Sequence, residues 1–273
     1  HGVGDELLIA VAARLSEHVR LIDMLARLGG DEFICLMEGV RSEDDVEILA
    51  REVIGAFELP FVLGDHELFL TASVGICLSP SDGDSVLDLM RNADTAMYRA
   101  KALGRGNFHF YTPEMTRDAQ ERIRMENLLR RALDNGELSV HLQPQVETRS
   151  GRLVGAEALV RWNSPELGTI SPDVFIPLAE RTGLINELTR WCINATLRHA
   201  AETRLAERGI HLSINLSPRV LLDNSFADQL LSALKLWGVP PRTLMLEVTE
   251  SAMMEDAAQA IEVLLRLRAA GMR

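Results

Sequence analysis

The chain has 273 residues, 47% of them hydrophobic and 25% charged, the balance of a globular protein long enough for two ordinary domains. Its formal net charge of -12 excludes broad, sequence-blind binding to nucleic acid, which needs clustered Lys and Arg to neutralise phosphates. A specific nucleotide site, built from a few placed cations and a metal, stays open.

Cys35, Cys77 and Cys192 lie in apolar surroundings at unrelated spacings, so they read as reduced thiols of a cytosolic protein, not as a disulfide framework or zinc site. No apolar run approaches the ~18 residues that span a bilayer, and no signal peptide is expected in these residues. The chain opens at His1 without methionine and stops just after a helical pattern, which predicts an internal fragment.

From Asp5 to Val19, apolar Leu8, Val11, Ala12 and Leu15 fall at the spacing of an amphipathic helix. Next, RLIDMLARLGGDEFICLM (Arg20 to Met37) sets apolar runs either side of Gly29, Gly30, Asp31 and Glu32. It predicts strand, tight turn, strand, with the acids at the tip. Ser42 opens a second helix whose first turn is acidic (Glu43, Asp44, Asp45), as a helix N-terminus favours. Alternation of Leu68, Leu70, Ala72, Val74, Ile76 and Leu78 predicts one half-buried strand, paired back through a Gly64-Asp65 turn to FELPFVL. A helix is expected from about Asp84 to Leu103, with Val86, Met90, Ala93, Met97 and Ala100 as its buried stripe. NFHFY then closes the first unit near Tyr111. The order predicts an α+β domain over residues 1–112, a mostly antiparallel sheet covered by helices.

Residues 113–135 are highly charged, with Met115, Ile123, Leu128, Leu129 and Leu133 at helical spacing, and predict a helical linker. From residue 136 strand and helix alternate. LSVHLQPQVE and LVGAEALVRW are joined by a turn at Ser150-Gly151, and HLSINLS, helix, TLMLEVTE, helix follow. This grammar predicts an α/β domain over residues 136–273, the first half of a TIM-like parallel β/α barrel, since a whole barrel needs ~250 residues.

The chemistry-bearing residues fall into two groups. Gly29 and Gly30 permit positive φ and close approach of backbone to a phosphate, while Asp31 and Glu32 are hard oxygen ligands suited to divalent cations. An ordinary hairpin has the same spacing. Arg20 and Asp23 form an RxxD pair, in which arginine can fork onto guanine O6 and N7 and the carboxylate can accept from N1 and N2. Lys101 and Arg105 share one face if their helix continues that far, and are otherwise a solvated helix end. In the second unit, Glu157, Asn215 and Glu247 fall near the C-terminal ends of three successive predicted strands. Such ends converge on the mouth of a β/α barrel, where two carboxylates and an amide oxygen suit a hard cation. Trp162, Trp191 and Trp237 read as packing residues rather than base-stacking ones.

RLGGDEF resembles the signature of the GGDEF domains, the diguanylate cyclases; the similarity spans about residues 1–112, including HGVGDELL and NADTAMYRAKALGRGN. The resemblance implies condensation of two GTP, one per protomer of a homodimer, into cyclic di-GMP. It implies that Asp31 ligates metal, that Glu32 supports catalysis, that Asp5 accepts from a guanine, and that Lys101 and Arg105 bind phosphates. Arg20 and Asp23 stand at the distance from the turn of the product-inhibition site of many such cyclases, which implies feedback binding of cyclic di-GMP. A further metal-binding Asp and a guanine-binding Asn of the family belong upstream of His1, so cyclisation of GTP by these residues alone is not expected.

QPQV, EALVRW, SPELGTISPDVFIPLAERTGLI, NLSP and EVTES resemble the EAL domains, phosphodiesterases that linearise cyclic di-GMP to pGpG; the match runs from about Leu138 to Arg273. It implies that Glu157, Asn215 and Glu247 ligate Mg²⁺ or Mn²⁺, that Gln143 and Arg161 contact the dinucleotide, and that Glu250 assists the metal site. Two cations would generate hydroxide for in-line attack on one phosphodiester. The remaining ligands, notably two adjacent aspartates, would follow Arg273, so the chain by itself is expected to be inactive. The leading expectation is an intact cytoplasmic enzyme that hydrolyses or makes cyclic di-GMP, with no DNA partner and no membrane segment in these residues. The rival is a non-catalytic receptor for cyclic di-GMP or GTP.

Overall fold

The structure, a computed structural model, describes residues 2–248 and 257–272. The chain divides into two compact units, His1–Gln120 and Glu121–Arg273.

The first unit runs α1 (Gly2–Ser16), β1 (Met24–Gly29), β2 (Glu32–Leu36), α2 (Glu43–Ala56), β3 (Phe61–Leu63), β4 (His66–Leu68), β5 (Ser73–Ile76), α3 (Val86–Ala102), β6 (Asn107–Phe110), then enters α4 (Pro113–Asn135). Ser85 caps α3 by accepting the Asp88 amide at 3.1 Å. Ser42 precedes α2 in extended conformation, but its side chain makes no capping bond; the acidic first turn alone complements that end of the helix. Two small cores hold the unit. Val11, Leu15 and Phe61 bury against the hairpin residues Leu25 and Phe33, and Val46, Ala50 and Ile76 bury near Phe108 and Phe110.

Three expectations for this unit fail. The single strand expected from Leu68 to Leu78 is two strands: β4 returns antiparallel to β3, whereas β5 pairs with β6. That second pairing is parallel, and the described strands form separate two-stranded ladders rather than one mostly antiparallel sheet. Alternation records which face of a strand is buried; the neighbour it bonds is chosen by the α3 crossover, which only a parallel pair requires. The buried stripe of α3 is also rotated, to Asn92, Ala96 and Ala100, leaving Val86 and Met90 exposed. The cause is Gly75 on β5. A Cβ there would lie 2.0 Å from the Ala93 carbonyl oxygen and 2.3 Å from the Met97 nitrogen, so the helix settles directly on bare backbone with its small-residue face inward.

The second unit contains β7 (Leu138–Val146), β8 (Leu153–Ser164), β9 (Gly168–Ile170), α5 (Pro172–Thr182), α6 (Ile185–Glu202), β10 (His211–Leu216), α7 (Phe226–Trp237), β11 (Leu244–Val248) and α8 (Ala257–Ala269), with 3₁₀ turns at Pro218–Leu222 and Pro241–Thr243. One five-stranded sheet has the order β11-β10-β8-β7, with β9 folded onto β8. β10 is parallel to both β8 and β11, the arrangement expected of a β/α grammar. β7 departs from it. It is antiparallel to β8, because the short turn at Ser150-Gly151 cannot make the long crossover a parallel pair needs. Among the described residues the sheet is open, not a closed barrel.

The sheet has a core face and an opposite face. On one face Val140, Ala156, Ala158, Trp162, Leu212, Ile214, Leu216 and Leu244 bury into a single core with α5, α6 and α7. The packing reading holds for Trp162, which is fully buried edge-on to Phe175 at 5.7 Å and donates from Nε1 to Glu137 Oε2 at 3.2 Å. Trp191 and Trp237 are half-buried beside that core. No helix among the described residues is long and apolar enough to cross a membrane.

Candidate cation sites on a hairpin tip and a sheet face

In the first unit β1 and β2 form an antiparallel hairpin with a bulge between Arg27 and Gly29, closed by Gly30 and Asp31. Gly30 has φ 54°, which a side chain would strain. Asp31 and Glu32 are exposed at this tip, and their side chains make no hydrogen bond or ion pair among the described residues. Arg27 is a residue the sequence reading passed over. Its Nε and Nη2 both donate to the Gly30 carbonyl, at 3.0 and 2.8 Å, and clamp the turn. An arginine three residues before a turn carbonyl was the available signal.

At the open end of the hairpin, Arg20 forks onto Asp23: Nε donates to Oδ2 at 2.7 Å and Nη2 to Oδ1 at 2.9 Å. Arg20 Nη2 also donates to the Glu38 carbonyl at 3.1 Å, and the Glu38 amide donates to Asp23 Oδ1 at 3.1 Å. The Arg20 fork, and secondly the Glu38 amide, hold the Asp23 carboxyl below the ordinary carboxylate range against the opposing cost of desolvation. The same hydrogen bond raises Arg20. These two residues are therefore engaged with each other as a clasp between the chain entering β1 and the chain leaving β2.

Asp5 lies in the first turn of α1 and is exposed. Lys101 and Arg105 do not share a helix face: α3 ends at Ala102, and Arg105 has φ 59° in the Gly104–Gly106 turn. The Arg105 amide donates to Ala100 O at 3.3 Å and Asn107 Nδ2 donates to the same carbonyl at 3.1 Å, closing the helix end before Arg105 can extend it.

The second unit assembles its polar residues differently. The sheet face opposite the core carries Gln143 on β7, Glu157 on β8, Ser213 and Asn215 on β10, and Glu247 on β11. Cross-strand register puts Gln143 opposite Glu157, Glu157 opposite Ser213, and Asn215 opposite Glu247. Register partners project to the same face, so these side chains share one face of the sheet. Asn215 Nδ2 donates to Glu157 Oε1 at 2.6 Å, and its amide oxygen accepts no hydrogen bond among the described residues. One expectation needs correction: Glu157 is mid-strand in the long β8, and only Asn215 and Glu247 lie near strand ends. β8 continues past its parallel partner to form the β9 hairpin, so it is the segment paired with β10 that ends just beyond Glu157.

Arg161 is two same-face positions beyond Glu157 on β8, and its Nη1 donates to the Val160 carbonyl at 2.8 Å. Glu180, unremarked in the sequence, fastens the loop after Asn215: Ser217 Oγ donates to its Oε1 at 2.8 Å and Arg219 Nη1 to its backbone carbonyl at 2.7 Å. No spacing rule links α5 to that loop. Glu250 lies outside the described residues. Among the described residues no group of three or more His, Cys, Asp or Glu is arranged for a metal ion. The set on the sheet face is instead two carboxylates and an amide, the amide bonded to Glu157, a ligand chemistry that fits a hard divalent cation.

Comparison with known proteins agrees with both units. The EAL domain model matches residues 126–273, and the diguanylate cyclase, GGDEF domain model matches residues 1–107. The bifunctional diguanylate cyclase/cyclic di-GMP phosphodiesterase MucR of Pseudomonas aeruginosa is 40% identical over 275 residues, 99% of this chain and 40% of that protein. The cyclic di-GMP phosphodiesterase PdeR of Escherichia coli is 39% identical over 266 residues, 97% of this chain and 40% of that protein. The chain thus spans about 40% of the length of these relatives. The solved structure of PaMucR phosphodiesterase in complex with c-di-GMP superposes with a TM-score of 0.52 at 35% identity, over 55% of this chain and 61% of that one. The chain belongs to the GGDEF–EAL family, with a GGDEF domain at residues 1–107 followed by an EAL domain at residues 126–273.

Proposed function

We propose that the intact protein acts in cyclic di-GMP signalling, and that its EAL unit hydrolyses cyclic di-GMP to pGpG with Mg²⁺ or Mn²⁺. The observation that carries this is the 2.6 Å contact between Asn215 and Glu157 on the face they share with Glu247. Glu157, Asn215 and Glu247 would hold the cation. Bound there, it would supply Lewis acidity to the phosphodiester and an activated water. Asn215 can fix the Glu157 carboxylate through its amide nitrogen while its oxygen remains a ligand. Gln143, opposite Glu157 in the register, and Arg161 would orient the dinucleotide; a guanidinium fork suits a phosphodiester. Glu250 would assist the cation site.

For the GGDEF unit we propose the diguanylate cyclase half-site, with Asp31 and Glu32 holding cations against a triphosphate. Asp5 would accept from guanine, and Lys101 and Arg105 would neutralise phosphate. Feedback binding of cyclic di-GMP at Arg20 and Asp23 would exchange their mutual hydrogen bonds for contacts to guanine. We also propose that residues 1–273 taken alone turn over little nucleotide, because the sheet formed by the described residues is open.

The test is pGpG release from cyclic di-GMP by the intact protein with and without Mn²⁺, compared with its Glu157→Gln variant. Loss of turnover on the order of 10²-fold or more, as removal of a main electrostatic contributor produces, supports the reading. Unchanged hydrolysis by the variant would overturn it. Tight cyclic di-GMP binding with no turnover in either protein would convert the EAL unit into a receptor.

A further inference from the structure

β10 lays Leu212, Ile214 and Leu216 into the core and turns His211, Ser213 and Asn215 to the other face. Asn215 is exposed there, whereas Ser213 has no exposed surface and its Oγ has no hydrogen-bond partner. A buried hydroxyl without a partner is costly, and buried polar groups are nearly always satisfied. Here alanine would serve the packing without that cost. The position of Ser213 suggests what its hydroxyl is for. In the parallel ladder it stands directly opposite Glu157 and one same-face step before Asn215. Glu157 Oε1 is taken by Asn215, and Oε2 accepts no hydrogen bond among the described residues. One orphan donor and one unfilled acceptor therefore occupy neighbouring places in the same layer of side chains.

We propose that Ser213 is a positioning residue for the Glu157 carboxylate, donating its hydroxyl hydrogen to Glu157 when that carboxylate turns to hold a divalent cation. The proposal rests on the reading that Glu157 binds the cation. Ligating carboxylates are themselves commonly hydrogen-bonded, and loss of such outer partners weakens metal binding ~10–100-fold. With two donors, from Asn215 and from Ser213, one rotamer of Glu157 would be selected and its free lone pairs aimed at the ion. Without Ser213, the carboxylate keeps a single tether and more rotational freedom.

The experiment is Mn²⁺ binding to the intact protein, followed by electron paramagnetic resonance and calorimetry, with thermal melting in the absence of added metal. The proteins compared are wild type, Ser213→Ala, Ser213→Thr and Glu157→Gln. Expected are ~10-fold or greater weakening of Mn²⁺ binding in Ser213→Ala, recovery in Ser213→Thr, and a metal-free melting temperature for Ser213→Ala no lower than wild type. Wild-type Mn²⁺ affinity in Ser213→Ala, with binding lost in Glu157→Gln, would overturn the proposal and leave the cation reading standing. Weakened binding accompanied by a clearly lowered metal-free melting temperature would overturn it too, by making Ser213 structural. If Glu157→Gln binds Mn²⁺ as wild type does, both the cation reading and this role of Ser213 fall.

Discussion

The two units display their acidic side chains on opposite architectures. The EAL unit spreads its donors across adjacent strands of one sheet whose other face is buried in a continuous core. Their spacing is therefore set by the ladder itself, and Glu157, Asn215 and Glu247 cannot separate unless strands do. The GGDEF unit puts Asp31 and Glu32 at the tip of a two-stranded hairpin beside two small cores. Isolated hairpins are marginal in water, and polar ties compensate. Arg27 clamps the turn, and the Arg20–Asp23 pair fastens the open end. Arg14 reaches from α1 to three backbone carbonyls, those of Ala56, Leu59 and Pro60, at 2.7 to 3.0 Å, with its guanidinium 3.5 Å over the Phe61 ring. Position is held by one continuous core in the EAL unit, and by smaller cores with arginine ties in the GGDEF unit.

The contrast can be broken at its strongest point first. Trp162→Ala should cost the EAL unit ~3–5 kcal/mol, the range for truncating a buried aromatic. All three tryptophans lie after residue 121, so tryptophan fluorescence in urea isolates this transition. A shift below 1 kcal/mol would mean that the core does not act as one body. Arg14→Ala comes next. Loss of charge-assisted bonds from a half-buried guanidinium should cost the GGDEF unit ~1–3 kcal/mol, read as faster amide exchange in α1 and at Glu58 to Phe61. Arg14→Lys should recover little, since an ammonium cannot fork across several carbonyls and the ring. Full recovery would reduce Arg14 to a simple charge.

The smallest effect sharpens the comparison through pH. Asp23 is held below the ordinary carboxylate range by Arg20, so its contribution is present above that range and disappears as pH falls through the lowered value. Amide protection in β1 and β2 should therefore persist through mildly acidic pH and fall only below the ordinary carboxylate range. Asp23→Asn should flatten that dependence. The EAL sheet offers an internal reference over the same range, and parallel loss of protection in both units would deny the clasp a separate role.

Much of this was legible in the residues themselves. Seven-residue RLGGDEF specified a hairpin and its acidic tip, and the β7, β8, β10 and β11 runs were legible as strands. That Glu157, Asn215 and Glu247 lie on separate strands was legible because each sits next to apolar neighbours. Other features were not readable. Nothing near residue 73 says that β5 will bond β6 in parallel rather than continue β4, and nothing near residue 86 says that Gly75 will turn α3 to its alanine face. Lys101 and Arg105 were separated by a helix end that Asn107, further along the chain, secures.

The sequence by itself determined most of the helical and extended segments and which residue types are available for chemistry, but not the break between β4 and β5 or the buried face of α3. Only the tertiary structure decided that Asn215 holds Glu157, that Ser213 is sealed beside them without a partner, and that Arg20 is spent on Asp23. The physical reason is range. Periodicity and turn chemistry are encoded within about ten neighbouring residues, whereas strand partners, helix rotation and the satisfaction of a buried hydroxyl depend on atoms that sequence distance keeps apart until the chain packs.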